Sequence, residues 1–121
     1  MVSPADRAAL GLETAVEARG RGEARREADL QRAAEQWLSL QGIWFLHLSP
    51  RAREKAGWPD LVFAVAGRPV AIELKSATGQ LSEVQEYCLA RLRQNGWQTA
   101  VCRSLDEVRR VVERRHDDET R

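Results

Sequence analysis

The 121-residue chain lacks any apolar run approaching the ~20 residues that cross a bilayer, so no membrane-spanning helix is expected. Near its first residues no basic segment leads into an apolar stretch. No secretory signal is therefore expected, and the expected address is cytoplasmic. Cysteine is scarce. Cys88 and Cys102 stand far apart with no C-x-x-C spacing, which argues against a zinc or redox motif, and both read as small buried hydrophobes. Neither sign of charge dominates. A formal net charge of +1 excludes a polycationic nucleic-acid coat and leaves a more local DNA contact open. Lysine is nearly absent: only Lys55 and Lys75 accompany the arginines among nineteen basic residues. Lys75 stands inside an apolar strand, where an ammonium is not interchangeable with a guanidinium.

What is present suits one soluble globular domain, with 43% hydrophobic and 31% charged residues. Residues 1–24 are rich in Ala, Arg, Glu and Gly and hold little to bury. They read as a flexible or loosely helical arm. Residues 25–113 carry the apolar periodicities of a folded domain, and 114–121 form a polar tail. "READLQRAAEQWLSLQG" (26–42) places Leu30, Ala33, Ala34, Trp37 and Leu38 on one helical face, with Gly42 as the stop. "IWFLHLS" (43–49) reads as a short strand and "PRAREKAG" (50–57) as a polar loop. Two strands around a tight turn follow. "LSEVQEYCLARLRQNG" (81–96) is a helix opened by the capping pair Ser82 and Gln85. "WQTAVCR" (97–103) is a strand, and "SLDEVRRVVE" (104–113) is a helix with Ser104 and Glu107 as a second capping pair. The order is α-β-β-β-α-β-α. Three strands on short links suggest an antiparallel meander, and the following strand–helix–strand unit implies a parallel partner. An α/β fold results, with a mixed four-stranded sheet flanked by helices.

"GWPDLVFAVAGRPVAIELKS" (57–76) is the informative stretch, because Asp60, Glu73 and Lys75 interrupt an otherwise buried hairpin. Glu73 and Lys75 are two apart and share a face, while Ile72 and Leu74 point the other way. A two-residue loop at Ala66-Gly67, or a four-residue loop centred there, sets Asp60 opposite Glu73, and residues directly opposite share a face; a three-residue loop would put them on opposite faces unless a bulge restored the register. Facing carboxylates repel. A hard divalent cation would offset that repulsion, and a salt bridge from Lys75 to either acid is the alternative. Pro59 before Asp60 pins the backbone there.

"PD" followed after a hairpin by "ELK" resembles the PD-(D/E)-x-K nucleases. "EADLQ", "GWPDLVF", "IELKS…G" and "LSEVQ", in that order over residues 26–112, resemble more narrowly the VRR-Nuc family, the virus-type replication-repair nucleases. The resemblance implies a restriction-endonuclease-like core and Mg²⁺- or Mn²⁺-dependent endonucleolytic cleavage of DNA. It further implies a role in phage or bacterial replication and repair, and a homodimer that acts on branched DNA as Holliday-junction resolvases do. By position it makes Asp60 and Glu73 metal ligands, with Glu27 of the first helix and the Leu74 carbonyl completing the set. Lys75 would orient or activate the attacking water, and Gln85 would support the site. Each assignment has a plainer rival. Glu27 could be a first-turn acid, with Glu35 its substitute, and Gln31 could be helix-surface filler. Gln85 could be only a cap, and His47 and Trp58 could simply pack. Arg51, Arg53 and Lys55 could contact DNA phosphates or belong to a solvated loop. A DNA-binding module that no longer cuts, a monomeric nicking or flap nuclease, and a structural protein with a salt-bridged hairpin are the alternative functions.

Overall fold

The computed structural model describes residues 14–48 and 57–114. The first helix, α1 (Ala15–Leu40), starts eleven residues before the expected position. The reason is local. Thr14 accepts the Glu17 N–H, and the Glu17 carboxylate accepts the Thr14 N–H, a reciprocal capping box. Behind it, Ala, Arg and Glu are good helix formers even without an apolar stripe. The expected 1–24 arm is thus helical from Ala15 on, and residues 1–13 lie outside the described part. Ala34 and Leu38 are fully buried, and Leu30 and Trp37 pack beside them.

Strand β1 (Phe45–His47) is shorter than the expected 43–49. It pairs antiparallel with β2 (Leu61–Val65), which pairs antiparallel with β3 (Arg68–Leu74). Val65 faces Arg68 across a two-residue turn in which Ala66 (φ 50°) and Gly67 (φ 79°) both have positive φ. That is the geometry whose twist matches a hairpin. Helix α2 (Glu83–Gln94) carries the predicted Ser82–Gln85 capping box. It leads to β4 (Gln98–Cys102), which lies parallel to β3. Helix α3 (Leu105–Glu113) is capped by Ser104, but Glu107 turns its carboxylate to the Arg103 N–H at 2.9 Å rather than completing a box. The sheet order β1-β2-β3-β4 gives the expected mixed sheet in an α/β fold.

Strand alternation divides the core. Leu61, Phe63, Val70, Ile72, Leu74 and Cys102 pack with Ala34, Leu38 and Val108 against α1 and α3. Ala71 packs with Cys88 and Leu92 under α2, joined by Val62 and Trp97. Each fully buried aliphatic side chain contributes about 1.5–3 kcal/mol. Among the described residues no helix is long and apolar enough to cross a membrane.

Candidate active site at the open end of the hairpin

The ladder between β2 and β3 ends at Leu61↔Ile72; one step further stand Asp60, just before β2, and Glu73, still within β3 and paired with Val101 of β4. Both belong to the α2 face, as the two-residue turn requires. The chain reaches Asp60 through Gly57, whose φ is +69°. A Cβ at Gly57 would lie 2.5 Å from the Val84 carbonyl oxygen, so only glycine lets this loop rest on the start of α2. Pro59 is fully buried behind it. Asp60 is 3% exposed; its Oδ2 accepts the Leu74 N–H at 2.7 Å and its carbonyl accepts the Leu48 N–H at 2.9 Å. The aspartate is thereby held to β3 and to the end of β1.

Glu73 is 1% exposed, and its Oε1 accepts a hydrogen bond from Gln85 Nε2 at 3.3 Å. Gln85 meanwhile uses its own oxygen to accept the Ser82 N–H at 3.0 Å. Gln85 therefore caps α2 and at the same time hydrogen-bonds Glu73. Lys75 Nζ stands 4.0 Å from Glu73 Oε1, close enough to lower the cost of the buried charge yet outside hydrogen-bond length. Leu74 sits between them with its side chain in the core and its N–H on Asp60.

Glu27 arrives from α1. Its Oε1 accepts the Ser76 N–H at 3.3 Å, just past Lys75. Glu35 instead accepts Gln31 Nε2 at 3.3 Å, and the same amide lies 2.9 Å from His47 Nε2. Of the two helix acids, Glu27 is the one bonded to the strand end that carries Glu73 and Lys75. Gln31, Glu35 and His47 form a separate polar seam between α1 and β1. Arg51, Arg53 and Lys55 lie outside the described residues.

The segment after β3 contains residues that the sequence did not single out. Arg103 Nη1 donates to the carbonyls of Ser76 (2.6 Å) and Gly79 (2.7 Å), and Ser76 Oγ accepts the Gly79 N–H at 3.0 Å. A Cβ on Gly79 would come within 3.1 Å of both Glu27 Oε1 and Ser76 Oγ, so its lack of a side chain lets the turn close on Glu27. The sequence signal was the register. Leu74 pairs with Cys102, so the parallel strands put Arg103 beside Lys75.

Burial and the nearby Glu73 charge push the Cys88 thiol up from its ordinary pKa. Cys102 is pushed up to about 12, mainly by burial and then by Glu107. Both are free, buried and protonated at neutral pH, as small hydrophobes would be. A cavity of about 540 Å³ at the other end of the sheet, beside the turn, is lined by Arg68, Arg93, Arg114 and Trp97, with no carboxylate among the described residues that line it.

Among the described residues no three His, Cys, Asp or Glu side chains gather as a ready-made metal cage. The oxygen donors at the strand ends nevertheless suit Mg²⁺ or Mn²⁺. Two neighbouring carboxylates with a peptide carbonyl beside them are hard ligands, and Mg²⁺ takes few protein oxygens and keeps its waters.

Residues 43–106 match the model of the VRR-NUC domain family, a span that takes in the hairpin and α2 and excludes Glu27. Two solved structures are similar. A VRR-NUC domain protein is 21% identical, with 72% of this chain and 84% of that one covered at a TM-score of 0.61. A VRR-NUC domain is 24% identical, with 75% and 98% covered at a TM-score of 0.62. At those identities the likeness shows the shared fold. No curated protein matches.

Proposed function

The chain belongs to the VRR-NUC domain family, a nuclease family, and from that premise we propose that it is an endonuclease that hydrolyses DNA phosphodiester bonds with Mg²⁺ or Mn²⁺. The observation that carries this reading is the pair of buried carboxylates, Asp60 and Glu73, aligned across the hairpin with Lys75 beside them. Burying two like charges side by side costs stability unless something of opposite sign joins them. Asp60 and Glu73 would hold the cation, with the Leu74 carbonyl, and with Glu27 at the rim. When bound, the cation acts as a Lewis acid on the phosphoryl oxygen and makes bound water more acidic.

The chain's own residues do the rest. The Leu74 N–H fixes Asp60, and Gln85 fixes Glu73, so neither carboxylate must reorganise when substrate arrives. Lys75, 4.0 Å from Glu73 Oε1 and so beyond hydrogen-bond length from it, would orient the attacking water and offset charge on the phosphate. Arg103 holds the turn that seats Glu27.

The reading extends to branched DNA and a homodimer. One chain brings one such site, whereas symmetric cutting of two strands needs two. Trp44, 94% exposed just before the outer strand β1, and Leu46, exposed within it, together offer an apolar patch for a second copy. The test is incubation of the purified chain with Mg²⁺ or Mn²⁺ and linear duplex, nicked circle, flap and four-way junction, alongside light scattering. Cutting that stops with EDTA is the expected result. DNA binding without cutting under any cation would favour the binding-module reading, and cutting by a strict monomer would favour a nicking or flap nuclease.

A further inference from the structure

One helical turn beyond Gln85, the α2 face opens into a groove of about 380 Å³ lined by Trp58, Tyr87, Cys88, Arg91, Leu92 and Asn95. We propose that this groove is a stacking subsite for an unpaired nucleobase next to the cleaved bond, which makes DNA with single-stranded arms the substrate class. The proposal rests on the nuclease reading and narrows its substrate.

Position is the first argument. Trp58 lies two residues before Asp60, in the loop that Gly57 fastens to the start of α2. Cys88 lies three residues after Gln85, the residue bonded to Glu73, and three residues of helix advance only ~4.5 Å. A phosphate at the carboxylates therefore has its neighbouring nucleotide over this groove. Chemistry is the second argument. Tyr87 is 68% exposed and Trp58 is 37% exposed, so two aromatic rings meet solvent in one groove over an apolar floor of Cys88 and Leu92. Neither ring belongs to the core clusters of the described residues. Arg91 follows Tyr87 by four residues and so shares its helix face, where its guanidinium can stack or meet a phosphate. Aromatic faces with an arginine are how proteins take up single-stranded bases without reading their sequence. A base in a duplex has both faces covered by its neighbours, so only an unpaired one can lie on Tyr87 or Trp58.

The test measures binding in EDTA, where nothing is cut. Fluorescence anisotropy with three labelled DNAs serves: a fork with single-stranded arms, the same fork with abasic arms, and a blunt duplex. Tyr87→Ala is the main variant because that side chain is mostly outside the fold. It should weaken fork binding roughly 10-fold while duplex binding stays within about 2-fold, and Tyr87→Phe should bind as the wild type does. Abasic arms should bring the wild type down to the Tyr87→Ala level and leave Tyr87→Ala where it was. Trp58→Phe against Trp58→Ala repeats the test on the other wall, with circular dichroism melts confirming that both fold. Unchanged fork binding by Tyr87→Ala, an equal loss on fork and duplex, or a Tyr87→Phe as weak as Tyr87→Ala would each overturn the proposal. Its failure is separable from that of the nuclease reading. A chain that cuts with Mg²⁺ but fails these comparisons loses only the subsite. One that passes them without cutting any DNA keeps the subsite and loses the enzyme.

Discussion

The two faces of the β2–β3 hairpin are made by the same residues in alternation, yet they do opposite things. Toward α1 and α3 the hairpin presents Leu61, Phe63, Val70, Ile72 and Leu74, all buried and apolar. Toward α2 it presents Val62 and Ala71 at mid-sheet, then Asp60, Glu73 and Lys75 at the open end. The first face holds the fold together. The second spends some of that stability on buried charge, because the period of two lets one short strand serve a core and a site at once. If this division is right, substitutions three residues apart at the end of β3 should have unrelated consequences.

The largest contrast is expected at Lys75. Lys75→Ala should lower metal-dependent DNA cutting by roughly 10²–10⁴-fold, the usual size of a proton-transfer contribution. Its melting temperature should fall but the protein should still fold, since the buried Glu73 charge loses part of its compensation while no hydrogen bond between the two side chains is lost. Cutting at the wild-type rate would remove Lys75 from the chemistry. On the other face, Ile72→Ala deletes a fully buried side chain and should cost about 2–5 kcal/mol in denaturant unfolding. Activity per folded molecule should survive, and a specific loss of cutting there would break the division between the faces.

How much of this could be read from the sequence follows from range. The order of elements, the hairpin register and the meeting of Asp60 with Glu73 were legible, because alternation, Gly67 and a two-residue turn are local signals. Gln85 was legible for the same reason, as a cap three residues from Ser82. The early start of α1 was legible in principle, through Thr14 and Glu17, but a stretch without apolar residues hid it. That Glu27 rather than Glu35 bonds the chain just past β3 was not legible, since both sit on one helix and only the way α1 crosses the sheet sets which acid reaches it. Arg103 escaped because its partners, Ser76 and Gly79, are brought to it by the parallel pairing of β3 with β4.

Gly57 joins the two faces, and Gly57→Ala sharpens the comparison at intermediate size. A methyl group there meets the Val84 carbonyl at a positive φ. The loop must shift, with an expected cost of ~1–3 kcal/mol. Asp60 would move with it, so cutting should fall more than stability does. A variant that lost stability and kept full activity per folded molecule would show that Asp60 does not depend on this packing. The smallest effect concerns the cysteines, one on each face. Cys102 is sealed in the α1–α3 core with its pKa at about 12, whereas Cys88 lines the groove under α2. An alkylating agent at pH 8 should label Cys88 first and Cys102 only on unfolding. The reverse order, read by mass spectrometry, would mean that α2 covers its face more tightly than α1 and α3 cover theirs.

The central claim is that Glu73 is buried to hold a catalytic cation rather than to build the fold. Thermal melts of the wild type and Glu73→Gln, with and without Mn²⁺, test it most directly. Gln keeps the size of the side chain and an oxygen for Gln85 Nε2 while removing the charge that would hold the cation, so the variant should still fold without metal. Mn²⁺ should then stabilise the wild type, by about 2.7 kcal/mol at a hundred times its dissociation constant, and leave Glu73→Gln almost unmoved. Equal Mn²⁺ shifts in the two proteins would contradict the account.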